Sequence, residues 1–285
     1  MTTMKTLPEI RTALDIMQNL GEVEQFMLAQ EQVSCPVRHH FSHGIYIREL
    51  SVPAGTFAVG HHQKQEQLNI FLQGKVAVIN ESGTVDILKA PMMFIGKTGR
   101  KVGYVMEDMV WLNVFPTEEK DIETLEEMLF DKSENSVASQ DQMKKVDRSD
   151  DRDDFQQMLQ DLNISAEMVR SQSEFEGDQI PFMDQTVTVK VADSAIEGRG
   201  LFATVDFSEG EIIAPMRLGD FRTPAGRFTN HAKEPNAIVD FSGDAFFLKA
   251  KRAIKGCHGG FDGEEITIDY RQSVETVRRH QRCQE

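Results

Sequence analysis

Two stretches of this chain, residues 33–115 and 186–272, carry β-sheet patterning, and a polar, acidic segment separates them. That separation constrains the fold more than any single residue does. Each stretch has to close its own sheet, and 285 residues suffice for two domains with separate cores. In the first stretch, Gly44-Ile-Tyr-Ile-Arg-Glu-Leu-Ser-Val, Gln67-Leu-Asn-Ile-Phe-Leu-Gln, Lys75-Val-Ala-Val-Ile and Val110-Trp-Leu-Asn-Val-Phe alternate or cluster β-formers. Gly55, Gly60, Gly74, Gly83 and Gly96 sit between or beside these runs. Short strands at regular spacing predict a β-sandwich or barrel over 33–116. In the second stretch, Thr186-Val-Thr-Val-Lys-Val has period two, and Phe246-Phe-Leu-Lys-Ala and Ile266-Thr-Ile-Asp-Tyr read as further strands.

Helical patterning lies outside these stretches. Ile10, Leu14, Met17 and Leu20 recur at helical spacing, Gly21 punctuates, and Val23, Phe26 and Met27 begin a second short helix. Residues 1–32 thus form a helical arm. Its apolar stripe needs a partner surface: the neighbouring domain, or else an oligomer contact. Residues 117–185 form an acidic helical linker. Ile122, Leu125, Met128 and Leu129 mark one helix, Asp131–Arg148 lacks periodicity and reads as flexible, and Ser149 reads as an N-cap. Phe155, Met158, Leu159 and Leu162 form the next stripe, and Ser165 caps a short helix through Val169. The charge run Ser149-Asp-Asp-Arg-Asp-Asp is a solvated helix start, because neighbouring carboxylates on a helix diverge. A tail over 273–285 includes a short basic helix, Thr276–Arg282.

Lys and Arg number 31 against 46 Asp and Glu, for a net charge of −15, which argues against a nucleic-acid binder and suits solubility or a basic partner. Three dispersed cysteines make no disulfide framework, no signal-peptide pattern opens the chain, and no window reaches the ~18–20 apolar residues of a membrane span. The expected location is a reducing cytoplasm, without membrane association.

The run His61-His-Gln-Lys-Gln-Glu66-Gln-Leu-Asn-Ile-Phe-Leu-Gln-Gly74 resembles the cupin family, small double-stranded β-helix barrels. In that family two histidines one residue apart, a glutamate and a later histidine bind a divalent metal. Here His61 and Glu66 take the first and third positions, Gln63 the second, and the later histidine falls near Lys101, whose ammonium has no lone pair. The resemblance therefore implies a barrel kept as a scaffold or pairing module, with no metal expected. A different histidine set, His39, His40, His43, His61 and His62, clusters within 24 residues.

Further along stand Ile196-Glu-Gly-Arg-Gly-Leu-Phe202, Gly226-Arg-Phe-Thr-Asn-His-Ala-Lys-Glu-Pro-Asn236 and Gly263-Glu-Glu-Ile-Thr-Ile-Asp-Tyr270. In this order they resemble the SET domain of protein lysine methyltransferases, over about residues 186–272. The expected fold class is thus mainly β, with a helical N-terminal arm and helical linker, a cupin-like barrel and a SET β-fold. The resemblance implies S-adenosylmethionine as cofactor. It assigns Gly198, Arg199 and Gly200 to the first cofactor loop, and Asn230 and His231 to the cofactor's amino-acid and adenine ends. It makes Tyr270 catalytic, its hydroxyl orienting the substrate amine, and leaves Asp269 structural. Two departures stand out. Ala232 replaces the serine of the family's Asn-His-Ser motif, and Cys-His-Gly-Gly-Phe-Asp-Gly separates Gly256 from Glu264 as an extended loop that alters access. The family's flanking zinc clusters are missing; Cys257, His258, His280 and Cys283 match no zinc spacing.

A cupin-like region followed by a SET-like one is similar to cupin-plus-SET proteins encoded in phage genomes. Two functions follow as expectations. The first is an S-adenosylmethionine-dependent protein lysine N-methyltransferase acting on a protein substrate. The second is a non-catalytic phage assembly component, meeting other virion proteins in the host cytoplasm or the virion. By analogy with cupins that pair through their barrels, a homo-oligomer is expected.

Overall fold

The structure, a computed structural model, describes residues 1–4, 13–79, 83–144, 147–183 and 185–284. Ile10 and the Leu14 side chain of the arm, and residues 145–146 of the linker, lie outside the described residues. The protein is mainly β and divides into two compact units. Unit 1 is Met1–Met143 with Gly256–Asp262; unit 2 is Lys144–Lys255 with Gly263–Glu285.

Unit 1 contains β1 (Thr2–Met4), β2 (Val37–Ser42), β3 (Ile45–Val52), β4 (Phe57–Val59), β5 (His62–Gln63), β6 (Gln67–Ile79), β7 (Val85–Lys89), β8 (Met92–Gly96), β9 (Val102–Pro116) and β10 (Phe130–Asp131). Two long strands organise it. β6 and β9 pair antiparallel from Leu68↔Val114 to Ile79↔Val102. On its other edge, β9 takes β4 at one end and β3 at the other. β6 likewise takes β8 at its start and β7 at its end. β1 extends the sheet past β4, and β2 past β3. Each long strand thus serves two half-sheets, and the sheet curls into a barrel-like shape.

The bend is built into β6. Its register shifts between Phe71 and Val76, and Gly74 sits at φ 98, where a Cβ would lie 2.4 Å from the Asp108 carbonyl oxygen. Only glycine tolerates that approach. The sequence reading set Gly74 between two strands; the structure runs one 13-residue strand through it, because the glycine absorbs a bulge instead of a turn.

Three apolar clusters stand among the described residues of unit 1. α1 (Ala13–Gln18) and α2 (Leu20–Leu28) bury Ile16, Val23 and Met27 against Met4, Phe57, Val59 and Val102, so the arm packs on the sheet of its own unit. α3 (Ile122–Leu129), capped by Asp121 accepting from the Thr124 N–H at 2.9 Å, sets Leu125 and Leu129 against Tyr46 and Phe115. Cys35, Val52, Phe71, Val76 and Val105 form the third.

The segment read as a flexible linker contains a helix, α4 (Glu134–Lys144). It is held by polar contacts, which leave no apolar period. Ser133 Oγ accepts from the Ser136 N–H at 3.2 Å, Asn135 donates to the Gly21 carbonyl at 3.0 Å, and Gln140 donates to the Gly260 carbonyl at 3.1 Å. The extended loop is likewise tied down. Cys35 N–H donates to the Cys257 carbonyl at 2.9 Å, and Gly259 N–H to the Val33 carbonyl at 2.7 Å.

Unit 2 begins with α5 (Ser149–Leu162), α6 (Ala166–Glu174) and a single 3₁₀ turn, Glu176–Asp178. Ser149 is not the cap of α5. It is the first helical residue, and Asp147 accepts from its N–H at 2.9 Å, so the aspartate two positions earlier has taken the capping role. Ser165 does cap α6, accepting from the Met168 N–H at 3.1 Å.

The strands are β11 (Thr186–Val187), β12 (Val189–Asp193), β13 (Arg199–Ala203), β14 (Ile212–Leu218), β15 (Phe221–Arg222), β16 (Asn230–His231), β17 (Ala237–Ser242), β18 (Ala245–Ala250) and β19 (Glu265–Ile268). α7 (Pro224–Phe228) precedes β16, and α8 (Tyr270–Gln284) follows β19. One sheet runs β12-β13-β19-β16 and the other β15-β14-β18-β17. β16 lies parallel to β19, with Asn230 opposite Thr267 and His231 opposite Ile268. The expected strand 266–270 stops at Ile268, and Tyr270 opens α8. Among the described residues no helix is long and apolar enough to cross a membrane.

Candidate functional site

In unit 2, β19 separates β13 from β16, so the motif residues at their ends converge on Glu265. The Asn230 amide nitrogen reaches Glu265 Oε1 at 2.9 Å, Ser194 Oγ at 3.1 Å, and the Glu197 and Arg199 carbonyls at 3.2 Å each. Its two N–H groups are shared among those four oxygens. Ser194 donates to the same Glu265 oxygen at 2.8 Å. Burial pushes the Glu265 carboxyl above the usual carboxylate range, against the opposing hydrogen bonds from Asn230 and Ser194.

Gly198 turns at φ 51 with open space around its Cβ position. At Gly200 a Cβ would stand 2.3 Å from Glu265 Oε1, so this glycine makes room for the carboxylate. Arg199 lends Asn230 its carbonyl, while its guanidinium lies 5.6 Å from the Phe228 ring.

His231 is buried, and both ring nitrogens are engaged. Nδ1 accepts from the Tyr270 N–H at 3.2 Å, which leaves the proton on Nε2, donated to Asp154 Oδ2 at 2.9 Å. Arg271 Nη1 reaches the same Asp154 oxygen at 2.9 Å. Phe155 packs its ring 6.1 Å from both His231 and Tyr270. The Tyr270 hydroxyl donates to the Thr229 carbonyl at 3.0 Å. Burial pushes this phenol up to about 12, so it stays protonated at neutral pH.

The structure therefore brings Gly198, Gly200, Asn230, His231 and Tyr270 into one connected cluster, to which Arg199 contributes its carbonyl. Sequence reasoning missed Glu265, Ser194, Asp154 and Arg271. For Asp154 a signal existed. Asp151, Asp154, Phe155 and Met158 share one helical face, and the inner half of the acidic run is not solvated: Asp151 accepts from the Lys233 N–H at 2.9 Å, and the Asp154 side chain is only 23% exposed.

The metal positions suggested for unit 1 do not converge. Glu66 is exposed, Gln63 carries an amide, and burial holds the Lys101 ammonium below the usual lysine range. His39 is bonded to the Tyr46 hydroxyl at 2.8 Å and His40 to Glu49 at 3.0 Å. Further on, His280 packs 5.0 Å from the Phe241 and Phe246 rings. Among the described residues no group of three or more His, Cys, Asp or Glu side chains is placed to hold a metal ion.

No protein-family model matches this chain, and no curated protein matches it. Solved structures similar to it include ectoine synthase from P. lautus, at 14% identity and TM-score 0.28 over 37% of this chain and 84% of that one. A cupin-2 domain containing protein from Shewanella frigidimarina matches at 14% identity and TM-score 0.24, over 34% of this chain and 92% of that one. An acetylacetone dioxygenase from Acinetobacter johnsonii matches at 17% identity and TM-score 0.26, over 31% of this chain and 63% of that one.

Proposed function

We propose that unit 2 is a SET-type protein lysine N-methyltransferase that uses S-adenosylmethionine. The observation that carries this reading is the parallel pairing of β16 with β19, which sets Asn230 and His231 beside the segment leading to Tyr270. The residues fit the cofactor's zwitterionic end. Asn230 spends its nitrogen inside the cluster, and among the described residues its Oδ1 has no hydrogen-bond partner, which suits an ammonium donor. Gly198 leaves open space at the turn where a ligand's charged end approaches backbone. The cofactor supplies the methyl group when bound. The work of this chain is to hold the reacting groups in line and to keep water out. Tyr270, protonated, offers a fixed hydroxyl to orient the incoming amine, and His231 holds the Tyr270 backbone in place through Nδ1. The acidic net charge suits a basic, lysine-bearing protein substrate.

The test is calorimetric titration of the full chain with S-adenosylmethionine, followed by methyl transfer to lysine-rich protein. Saturable binding is expected in wild type and in Tyr270→Phe alike, with transfer lost only in the variant. Full transfer by Tyr270→Phe removes the catalytic assignment.

One observation favours a non-catalytic assembly role instead. Asp154 and Phe155 of α5 occupy the side of His231 and Tyr270 that the motif would present. Absence of cofactor binding at millimolar concentration, together with co-purification with virions, would establish that second reading.

A further inference from the structure

The outer faces of the unit 1 sheet are finished unequally. At one end, α1 and α2 bury the face that Phe57 and Val59 of β4 and Val102 of β9 present. At the other end, β8, β6, β9 and β3 turn a second apolar face outward. Strand register assembles it: Leu68 on β6 lies opposite Ile95 on β8 and Val114 on β9, and Ile70 lies opposite Met93 and Leu112. Gln67, Asn69 and Phe71, which alternate with them on β6, are buried, so this set points out of the barrel.

Five side chains of this second face are exposed, from 37% at Leu68 to 69% at Met93, with Ile45, Leu72 and Ile95 between those limits. Together they offer on the order of 500 Å² of apolar surface, against ~800 Å² on each partner of a stable interface. The half-buried Ile70, Leu112 and Val114 extend the face toward that size. Charges gather at its margin, where Glu49 on β3 pairs with Arg38 at 3.4 Å and His40 at 3.0 Å on β2. An apolar centre with a polar rim is how protein interfaces are built. Two features favour a second copy as the partner. The chain carries a net charge of −15, so two copies repel each other unless they meet through a face free of charge. The face is also self-complementary: a groove of about 440 Å³ runs between Ile45 and Ile95 over Leu68 and Val114, and Met93 projects beside it. In a two-fold contact each copy offers both the groove and the projection.

We propose that this outward face of β8, β6, β9 and β3 is the contact between two copies of the chain, related by a two-fold axis. The two sheets pack face to face, ~10 Å apart. Met93 of each copy seats in the groove of the other, a place that suits an unbranched, adaptable side chain. Side chains make the contact, not strand edges. Among the described residues β8 pairs with β6 alone, and Pro91 and Lys97 flank it, which discourages pairing along its outer edge. The contact uses neither the barrel interior nor the methyltransferase reading of unit 2.

The test is sedimentation equilibrium of the full chain across the micromolar range. Twice the mass of one chain is expected, falling toward the single-chain mass on dilution. Met93→Glu combined with Ile95→Glu is expected to give the single-chain mass throughout, with an unchanged circular dichroism spectrum, because both side chains are exposed. Met93→Ser combined with Ile95→Thr covers the case in which the glutamates disturb the strand. It is expected to weaken pairing at least about tenfold, a difference of about 1.4 kcal/mol. Ile87→Glu is the control: Ile87 is about as exposed as Ile95, but it lies on β7 opposite Ala77, away from this face, and the variant is expected to stay paired. Three results overturn the proposal: a single-chain mass for wild type at every concentration, pairing that survives both double variants, or dissociation by Ile87→Glu as complete as that by Met93→Glu with Ile95→Glu.

Discussion

The interior of unit 1 and the half-buried motif cluster of unit 2 are both walls of polar side chains, but they are finished differently. In unit 2, the Asn230 amide nitrogen, both His231 ring nitrogens, Glu265 Oε1 and the Tyr270 hydroxyl each meet a partner within or beside the cluster. In unit 1, Gln67 has no side-chain partner and Asn69 has partners for its oxygen alone. A self-satisfied cluster holds its own geometry. An unsatisfied row is costly to the fold. Chemically similar amides should therefore respond oppositely to removal.

The largest effect is expected at Asn230. Asn230→Ala takes away the nitrogen that binds the half-buried Glu265 carboxylate, leaving that group with Ser194 as its remaining side-chain donor. A loss of about 1 kcal/mol follows from leaving a half-buried acceptor under-satisfied. Chemical denaturation followed by circular dichroism measures it. Trp111 is the sole tryptophan and stands in unit 1, so its fluorescence follows unit 1, and the Gln67→Leu midpoint can be read there. Equal losses from Asn230→Ala and Gln67→Leu would erase the contrast between the two walls.

Tyr270 sharpens the comparison from a second direction. Tyr270→Phe removes one hydrogen bond to the Thr229 carbonyl, for about 1 kcal/mol. The larger signature lies at alkaline pH. Burial raises the folded phenol to about 12, whereas an unfolded tyrosine ionises near ~10. A group whose folded value is raised contributes its full stability below the unfolded value and loses it as pH rises through the folded one. Wild type should therefore lose stability between about 10 and 12 in a way that Tyr270→Phe does not. Phenolate absorbance from Tyr270 appearing at ordinary pH would mean that the hydroxyl is solvated.

The sequence made parts of this architecture legible and concealed others, for physical reasons. Alternation revealed the strands of both units because burial on one face imposes period two. The stripe Phe155, Met158, Leu159 was legible for the same reason, and Met158 is fully buried. Helix α4 was not, since hydrogen bonds from Asn135 and Gln140 hold it and polar docking has no period. Gly74 looked like a turn because a bulge and a turn both call for positive φ. The SET-like motif residues were named from resemblance, but Glu265 was not, although Gly200 is a glycine on its account. The degraded cupin positions pointed away from a metal. The interior row of Arg48, Asn69 and Asn113 became visible only through strand register.

The smallest effect concerns how the acidic helix meets the cluster. The Arg271 guanidinium beside Asp154, and then the His231 ring, hold this carboxyl below the usual carboxylate range. A group depressed in the folded state adds stability above its unfolded value, near ~3.9, and loses it as pH falls through the lower folded value. Asp154→Asn should therefore cost at most about 1 kcal/mol at neutral pH, because the pair is partly exposed and screened. The replacement amide keeps one acceptor oxygen, and Arg271 retains Asp161 at 3.1 Å, which limits the loss further. The difference between wild type and variant should stay flat from neutral pH down to about 4 and shrink below it. Raising the salt concentration should shrink it as well. A difference that grows on acidification would mean that Asp154 is not charged against Arg271 and His231, and that α5 meets the motif cluster through Phe155 alone.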